Sequence, residues 1–325
     1  MGLRKLKVKL RYFIAAVINR LLSMSGYIFI FRFGDGIGDQ LCMVALAEAL
    51  NKQTGEKVIV FTDYVGLFKN NPHLEKVVEV NRETVTGGAL FRALHRLEGN
   101  RVLHFSYKKK DNLDLESYMR KTQAKISLIE LHSLHISFPI DHSSLSPILY
   151  FENAEEEQFL DRVKEYGKYA IINPISKKQY TPNKDWGFDN FQKVVDLTKN
   201  DIQWIQVGLE NERLLNHVSD MRGKTSSLRE LALWIKFSEF VLSNEGMYNH
   251  MAAAVSTRSY TLFGGFHPKE VALYDTTIPL VQKQLPECAY CWLRSPCPYD
   301  HLRCFEGLGA EDVAEKILNN EKLRK

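Results

Sequence analysis

Apolar residues in this chain fall in short runs separated by glycine, proline and charged positions, and runs of two kinds alternate. Tyr27–Phe33 (YIFIFRF) is nearly continuous in apolar character, as a strand buried on both faces requires. Gly34–Gly38 predicts a tight glycine turn. Beyond it, Asp39–Lys52 places Leu41, Ala45, Leu46, Ala49 and Leu50 at helical spacing. Lys57–Phe61 predicts the next strand, followed by a helix around Tyr64–Asn70 and a strand at Val77–Val80. Arg101–Phe105 and Ser127–Ile129 predict further short strands. This alternation is the signature of parallel strand–helix–strand units.

The stretch Phe138–Phe151, rich in Pro, Ser and His and without periodicity, predicts a linker between two domains, 1–145 and 146–325. Alternation then resumes. Helices are predicted at Ala154–Tyr166, Trp186–Lys199, Ser227–Phe237, Tyr248–Val255 and Ala310–Leu318. Strands are predicted at Tyr169–Asn173, Trp204–Val207, Phe240–Ser243 and Ser259–Phe263. The expected fold class is α/β, with two Rossmann-like, doubly wound domains facing across a cleft. Ligands of such sheets bind beyond the carboxyl ends of the strands.

The first twenty residues change this picture. Arg4, Lys5, Lys7, Lys9, Arg11 and Arg20 stand there with no acid, among Leu3, Leu6, Leu10, Phe13, Ile14, Val17 and Ile18 at helical spacing, a row that Leu21 continues. That pattern is a basic amphipathic helix, suited either to an anionic membrane surface or to packing on its own domain. The uninterrupted apolar run Tyr12–Val17 is too short to span a bilayer. Asn19 and Arg20 interrupt it in a way that a cleaved leader would not. A cytoplasmic protein, peripheral on the inner face of the inner membrane, is the expectation. The net charge of +4 argues against a nucleic-acid partner, which calls for a denser basic surface.

Five cysteines are present. Cys42 lies within a helix expected to be buried, where packing accounts for it. Cys288, Cys291, Cys297 and Cys304 crowd one C-terminal segment, which in a cytosolic chain favours a metal over disulfides. The expected ion is a structural zinc (or iron), with His301 as an alternative ligand. Four thiolates leave no open position, so no catalytic metal is expected.

Three further blocks carry chemistry. Arg32-Phe33-Gly34-Asp35-Gly36-Ile37-Gly38-Asp39 joins a strand to a helix through glycines. It suits close approach of a phosphate or sugar, or is a tight turn with Asp39 as helix cap. Asn173-Pro174-Ile175-Ser176 and then Lys184-Asp185-Trp186 set a lysine near a helix start, where a diphosphate finds positive charge. Ser243-Asn244-Glu245 ends a strand, and Asn249-His250-Met251-Ala252-Ala253-Ala254 follows with a small-residue face for close packing. A carboxylate with neighbouring amides suits sugar hydroxyls.

In this order and spacing the blocks resemble glycosyltransferase family 9, which includes the heptosyltransferases of lipopolysaccharide assembly. Gly38-Asp39 is followed by Ala45-Leu46-Ala47-Glu48-Ala49-Leu50, with Ala45 where the family has proline. Asn173-Pro174 and Lys184-Asp185-Trp186 match the second pattern. SNEGMYNHMAAA matches the third, with Glu245 in place of the family aspartate and Gly246-Met247 in place of Ser-Gly. Leu262-Phe263-Gly264-Gly265 resembles the family's Leu-Phe-Gly-Pro.

The resemblance implies a GT-B fold and an inverting transfer of heptose, or a related sugar, from a nucleotide-diphosphate donor such as ADP-heptose. The implied acceptor is a lipid-linked, cell-surface glycan of the lipopolysaccharide or lipooligosaccharide kind. Asp39 is the implied general base, with Asp35 as rival. The implied donor-binding residues are Ser176, Lys184, Glu210, Glu212, Asn244, Glu245, His250 and Gly264, with Lys184 on the leaving diphosphate and Glu210 or Glu212 on the nucleoside. His250 has helix packing as its alternative. Some relatives hold iron with terminal cysteines. Alternative readings are a non-catalytic or protein-glycosylating homologue, or a nucleotide-sugar epimerase.

Overall fold

In a computed structural model the chain forms two compact units. The structure describes residues 17, 20, 21, 24–34, 36–94, 101–104, 115–122, 126–133, 138, 140–141, 145–177, 180–299 and 303–322.

The first unit comprises residues 1–114 and 129–150. Its described elements are β1 (Tyr27–Arg32), α1 (Ile37–Thr54), β2 (Lys57–Thr62), β3 (Lys76–Glu79), α2 (Val85–Leu94) and β4 (Val102–His104). The next helix, α3 (Leu115–Thr122), groups with the second unit. α4 (Leu128–Ser133) begins at the boundary and continues into the first. The strands form one sheet in the order β3-β2-β1-β4, all pairs parallel. Every residue of α1 from Gln40 to Leu50 is buried, which explains why that helix is apolar almost all round. It stops at Gly55, whose φ of 71° closes the last turn by donating its N–H to Asn51 O.

The second unit comprises residues 115–128 and 151–325. After α3 it contains α5 (Asn153–Val163), β5 (Ala170–Asn173), α6 (Phe188–Thr198), β6 (Trp204–Gln206), β7 (Ser219–Asp220) and α7 (Leu228–Lys236). Next come β8 (Val241–Asn244), α8 (Met247–Ala254), β9 (Ser259–Leu262), β10 (Thr277–Leu280) and α9 (Ala310–Lys322). Its sheet runs β10-β9-β8-β5-β6-β7, again wholly parallel. β5, β8 and β9 are buried at every residue, as central strands covered on both faces must be. One core joins Ile172, Leu242 and Leu262 of these strands to Phe191, Val194 and Val195 of α6 and Val313 and Ile317 of α9.

Three expectations are corrected. Ser127–Ile129 lies at the start of helix α4 and is not a strand, because a short apolar run carries no period of its own. The helix around Tyr64–Asn70 reduces to one 3-10 turn, Val65–Leu67. Asp39 is not the cap of α1. Gly36 holds that position and Asp39 lies in the first turn, where a carboxylate still meets the positive end of the helix dipole. Of the basic N-terminal segment, Val17, Arg20, Leu21 and Met24 are described. They are helical and exposed, and the other residues before Met24 lie outside the described set.

Candidate functional site

In the first unit the turn after β1 is held by side chains of β1, α1 and the end of β2. Gln40 is fully buried and donates to Arg32 O at 3.2 Å, while its Oε1 accepts from Thr62 Oγ1 at 3.0 Å. Gly34, at φ 109°, donates its N–H to Asp63 Oδ2 at 3.2 Å, and Asp63 is paired with Arg82 at 3.0 Å. Asp39 forms an ion pair with Arg32, and His132 Nε2 stands 4.0 Å from its other oxygen. Gly36 is required by packing. A Cβ there would lie 2.5 Å from Asp39 Oδ2 and 2.9 Å from Arg32 Nη2, so only glycine lets the pair lie against the turn. Asp35 is outside the described residues.

In the second unit polar side chains gather where β5, β8 and β9 end. Lys184, in the 3-10 turn Pro182–Lys184, forms an ion pair with Glu245, which is buried just beyond β8. Burial acts to raise the Glu245 carboxyl. The charge of Lys184 outweighs it, with His267 and His250 adding, and the group is held at about 2. Burial and the Lys184 charge press His267 well below the ordinary imidazole value. His267 is therefore neutral at pH 7, and Lys184 is the cation that keeps Glu245 ionised. Lys184 Nζ also lies 5.2 Å from the Phe266 ring centre, a cation–π distance. His250 is buried on α8, with Nδ1 2.6 Å from Tyr274 Oη. The hydroxyls of Ser176 and Ser243 are buried without a hydrogen-bond partner, as is His267 Nδ1. Buried polar atoms seldom stay unpaired, and several at the carboxyl end of one sheet mark a place built for a polar ligand.

The other expected residues divide. Glu212 reaches Asn173 Nδ2 at 3.4 Å, and burial raises its carboxyl despite the hydrogen bonds and Arg222 charge acting the other way. Gly208 makes room for it, since a Cβ there would strike the Glu212 carboxylate. Glu210 is exposed, with its Cβ against Gly223. Asn244 is committed to holding loops. Its Oδ1 accepts from Trp186 N at 3.2 Å and its Nδ2 donates to Pro174 O at 3.3 Å. Gly264 has no space for a side chain, since a Cβ would stand 2.8 Å from both Asn183 O and the Phe305 ring.

The cysteine-rich segment forms the outer support of this region. Thr181 Oγ1 and Asn183 Nδ2 each donate to Leu293 O at 2.8 Å, and Asn183 Nδ2 also donates to Ser295 O at 2.9 Å. Trp292 packs on Phe266 and, edge to face at 4.2 Å, on His267. The four cysteines are free thiols, and no group of three or more metal-binding side chains assembles among the described residues. The expected metal centre finds no support among the described residues. Trp292, Cys304 and Phe305 of the segment are buried. Burial raises the Cys304 thiol, with the charges of Cys291 and Cys288 adding, against two backbone hydrogen bonds. His301 lies outside the described residues.

His267 and Phe266 were not among the residues singled out in the sequence. The one local signal was Phe266-His267-Pro268 directly after the Gly264-Gly265 turn.

The family that the chain matches makes it a glycosyltransferase, and its two wholly parallel α/β units are those of the GT-B class. The profile of glycosyltransferase family 9 (heptosyltransferase) matches residues 104–297, more than half of the chain, and the chain belongs to that family. Among solved structures it is similar in fold to a family 9 glycosyltransferase of Veillonella parvula. The TM-score is 0.66 at 13% identity, covering 92% of this chain and 98% of that one. It is similar to an ADP-heptose lipopolysaccharide heptosyltransferase II of E. coli at TM-score 0.60 and 12% identity, covering 90% and 98%. A third is an iron-containing dodecameric glycosyltransferase, TibC, of enterotoxigenic E. coli. Its TM-score is 0.62 at 12% identity, covering 92% of this chain and 77% of that one. At these identities the likeness is one of fold. No curated protein matches the sequence.

Proposed function

We propose that this glycosyltransferase transfers heptose, or a closely related sugar, from ADP-heptose or another nucleotide-diphosphate sugar to a lipid-linked cell-surface glycan, inverting the anomeric carbon. The observation that carries the donor assignment is the pair of half-buried Lys184 and buried Glu245, set among His250, His267 and the unpaired hydroxyls of Ser176 and Ser243. Lys184 turns from Glu245 to the diphosphate and neutralises the charge that grows as the glycosidic bond breaks, with Ser176 donating a hydrogen bond. Glu245 accepts from sugar hydroxyls, and Glu212 sits where a nucleoside would lie. Asp39, steadied by Arg32, takes the proton of the acceptor hydroxyl as the new bond forms.

The acceptor class and the placement at a membrane rest on the basic N-terminal segment, whose Val17, Leu21 and Met24 leave apolar surface exposed. Among the described residues no helix is long and apolar enough to cross a membrane, so a peripheral attachment is the form proposed.

The test uses the purified full chain, calorimetry with nucleoside diphosphates, and mass spectrometry of products from a panel of nucleotide sugars. Asp39→Ala should bind ADP as the parent does and lose transfer by roughly 10²–10⁴-fold, the usual worth of a general base. Unimpaired transfer by D39A removes Asp39 from the mechanism. Failure of the parent to bind any nucleoside diphosphate removes the donor-site reading.

A further inference from the structure

His267 is buried to 6% exposure at the strand ends of the second unit, clasped between two aromatic rings. Phe266 and Trp292 each meet its imidazole edge to face with ring centres 4.2 Å apart. Two such contacts fix the plane of the ring, and Trp292 is brought there by the cysteine-rich segment that also anchors Asn183. A ring held this firmly points its nitrogens in set directions, yet Nδ1 makes no hydrogen bond. An imidazole serving only to fill the core would cost less as a phenyl group, because an unpaired buried polar atom is expensive.

The neighbours say which ligand would complete it. Lys184 supplies the positive charge that a diphosphate requires, and Phe266 lies between the two roles, 5.2 Å from Lys184 Nζ and in contact with His267. Beside a cation and the carboxylate of Glu245, a neutral imidazole adds little to phosphate binding. It is well matched to a hydroxyl, which both donates and accepts. The unpaired Ser243 hydroxyl at the end of β8 adds a second neutral partner of the same kind.

We propose that His267 is a specificity-determining residue that hydrogen-bonds a hydroxyl of the donor's sugar through its buried imidazole, while Lys184 holds the diphosphate. This rests on the donor-site reading above. It sets the sugar beside the cluster of Phe266, His267 and Trp292, so that sequence from the cysteine-rich segment helps choose the sugar.

The experiment compares calorimetric affinities for ADP and ADP-heptose in the parent chain, His267→Phe, His267→Leu and His267→Gln, with thermal melts of each. H267F keeps an aromatic ring against Phe266 and Trp292 but loses the hydrogen bond. It should bind ADP within about twofold of the parent and ADP-heptose about tenfold more weakly, the scale of one lost hydrogen bond to a buried partner. H267Q, which restores a hydrogen-bonding group, should recover part of that loss. If H267F melts below the assay temperature, H267L carries the same comparison. Parent-like affinity of H267F or H267L for ADP-heptose overturns the proposal, as does an equal loss for ADP and ADP-heptose. A parent chain that binds neither these ligands nor any other nucleoside diphosphate refutes the donor site itself, an outcome distinct from either.

Discussion

Lys184 and Glu245 stabilise each other in a place where neither is well solvated, with side-chain exposures of 21% and 5%. The folded carboxyl sits at about 2 against an ordinary 4.5. The stability this contributes is present above 4.5 and is lost as pH falls from there through 2. Lys184→Met removes the largest opposing charge and leaves burial opposed only by the weaker effects of His267 and His250, so the Glu245 carboxyl should move above its ordinary value and the sign reverse. The variant then gains relative stability as the carboxyl is protonated. At pH 7 the loss should be about 3–5 kcal/mol, the cost of stranding one member of a buried pair. The gap between parent and K184M melting temperatures should therefore narrow from pH 7 to pH 5. A gap that stays constant or widens toward pH 5 would show that Glu245 does not depend on Lys184. The further substitution Glu245→Gln should restore most of the stability of K184M at pH 7 without restoring transfer.

At the scale of elements, the turn after β9 and the cysteine-rich segment are fitted to each other. A Cβ on Gly265 would strike Cys304 Sγ, which explains why this chain has glycine where the family has proline. Gly265→Ala should cost about 1–3 kcal/mol, the range for overpacking a filled interior. Cys304→Ala in the same chain should return most of it, because Cys304 Cβ is 3.5 Å from the added atom. Urea denaturation of the two single variants and the double variant gives the coupling directly, and additive losses would deny the contact. This fit also shows where the sequence was readable. Strands such as Ala170–Asn173 and Val241–Asn244 announce themselves because burial on both faces demands a continuous apolar run. Lys184, Glu245 and Asp39 were legible because their motifs are local. Cys304 was read only as a metal ligand and its fit against Gly265 was not legible, since spacing reports proximity along the chain and not which groups pack inward. His267 was hidden for the same reason. Its setting is made by Trp292 and Lys184, which come from distant segments.

For the whole molecule, the remaining question is where it works, and the N-terminal segment carries the argument. Its six basic residues would each contribute about 1 kcal/mol near an anionic surface. That attraction fades beyond a screening length of ~8 Å at physiological salt. Val17, Leu21 and Met24, one helical face at 42%, 62% and 76% exposure, supply apolar surface for the acyl boundary. Deleting residues 1–22 should abolish co-sedimentation with vesicles containing anionic phospholipid while leaving ADP affinity unchanged. The full chain should bind such vesicles less as salt rises and bind purely zwitterionic vesicles poorly. Val17→Gln with Leu21→Gln keeps every charge, so it separates the two contributions. It should retain salt-sensitive attraction but lose the fraction of binding that survives high salt. Equal vesicle binding by the full and shortened chains would place the segment on the protein's own surface and remove the membrane from its function.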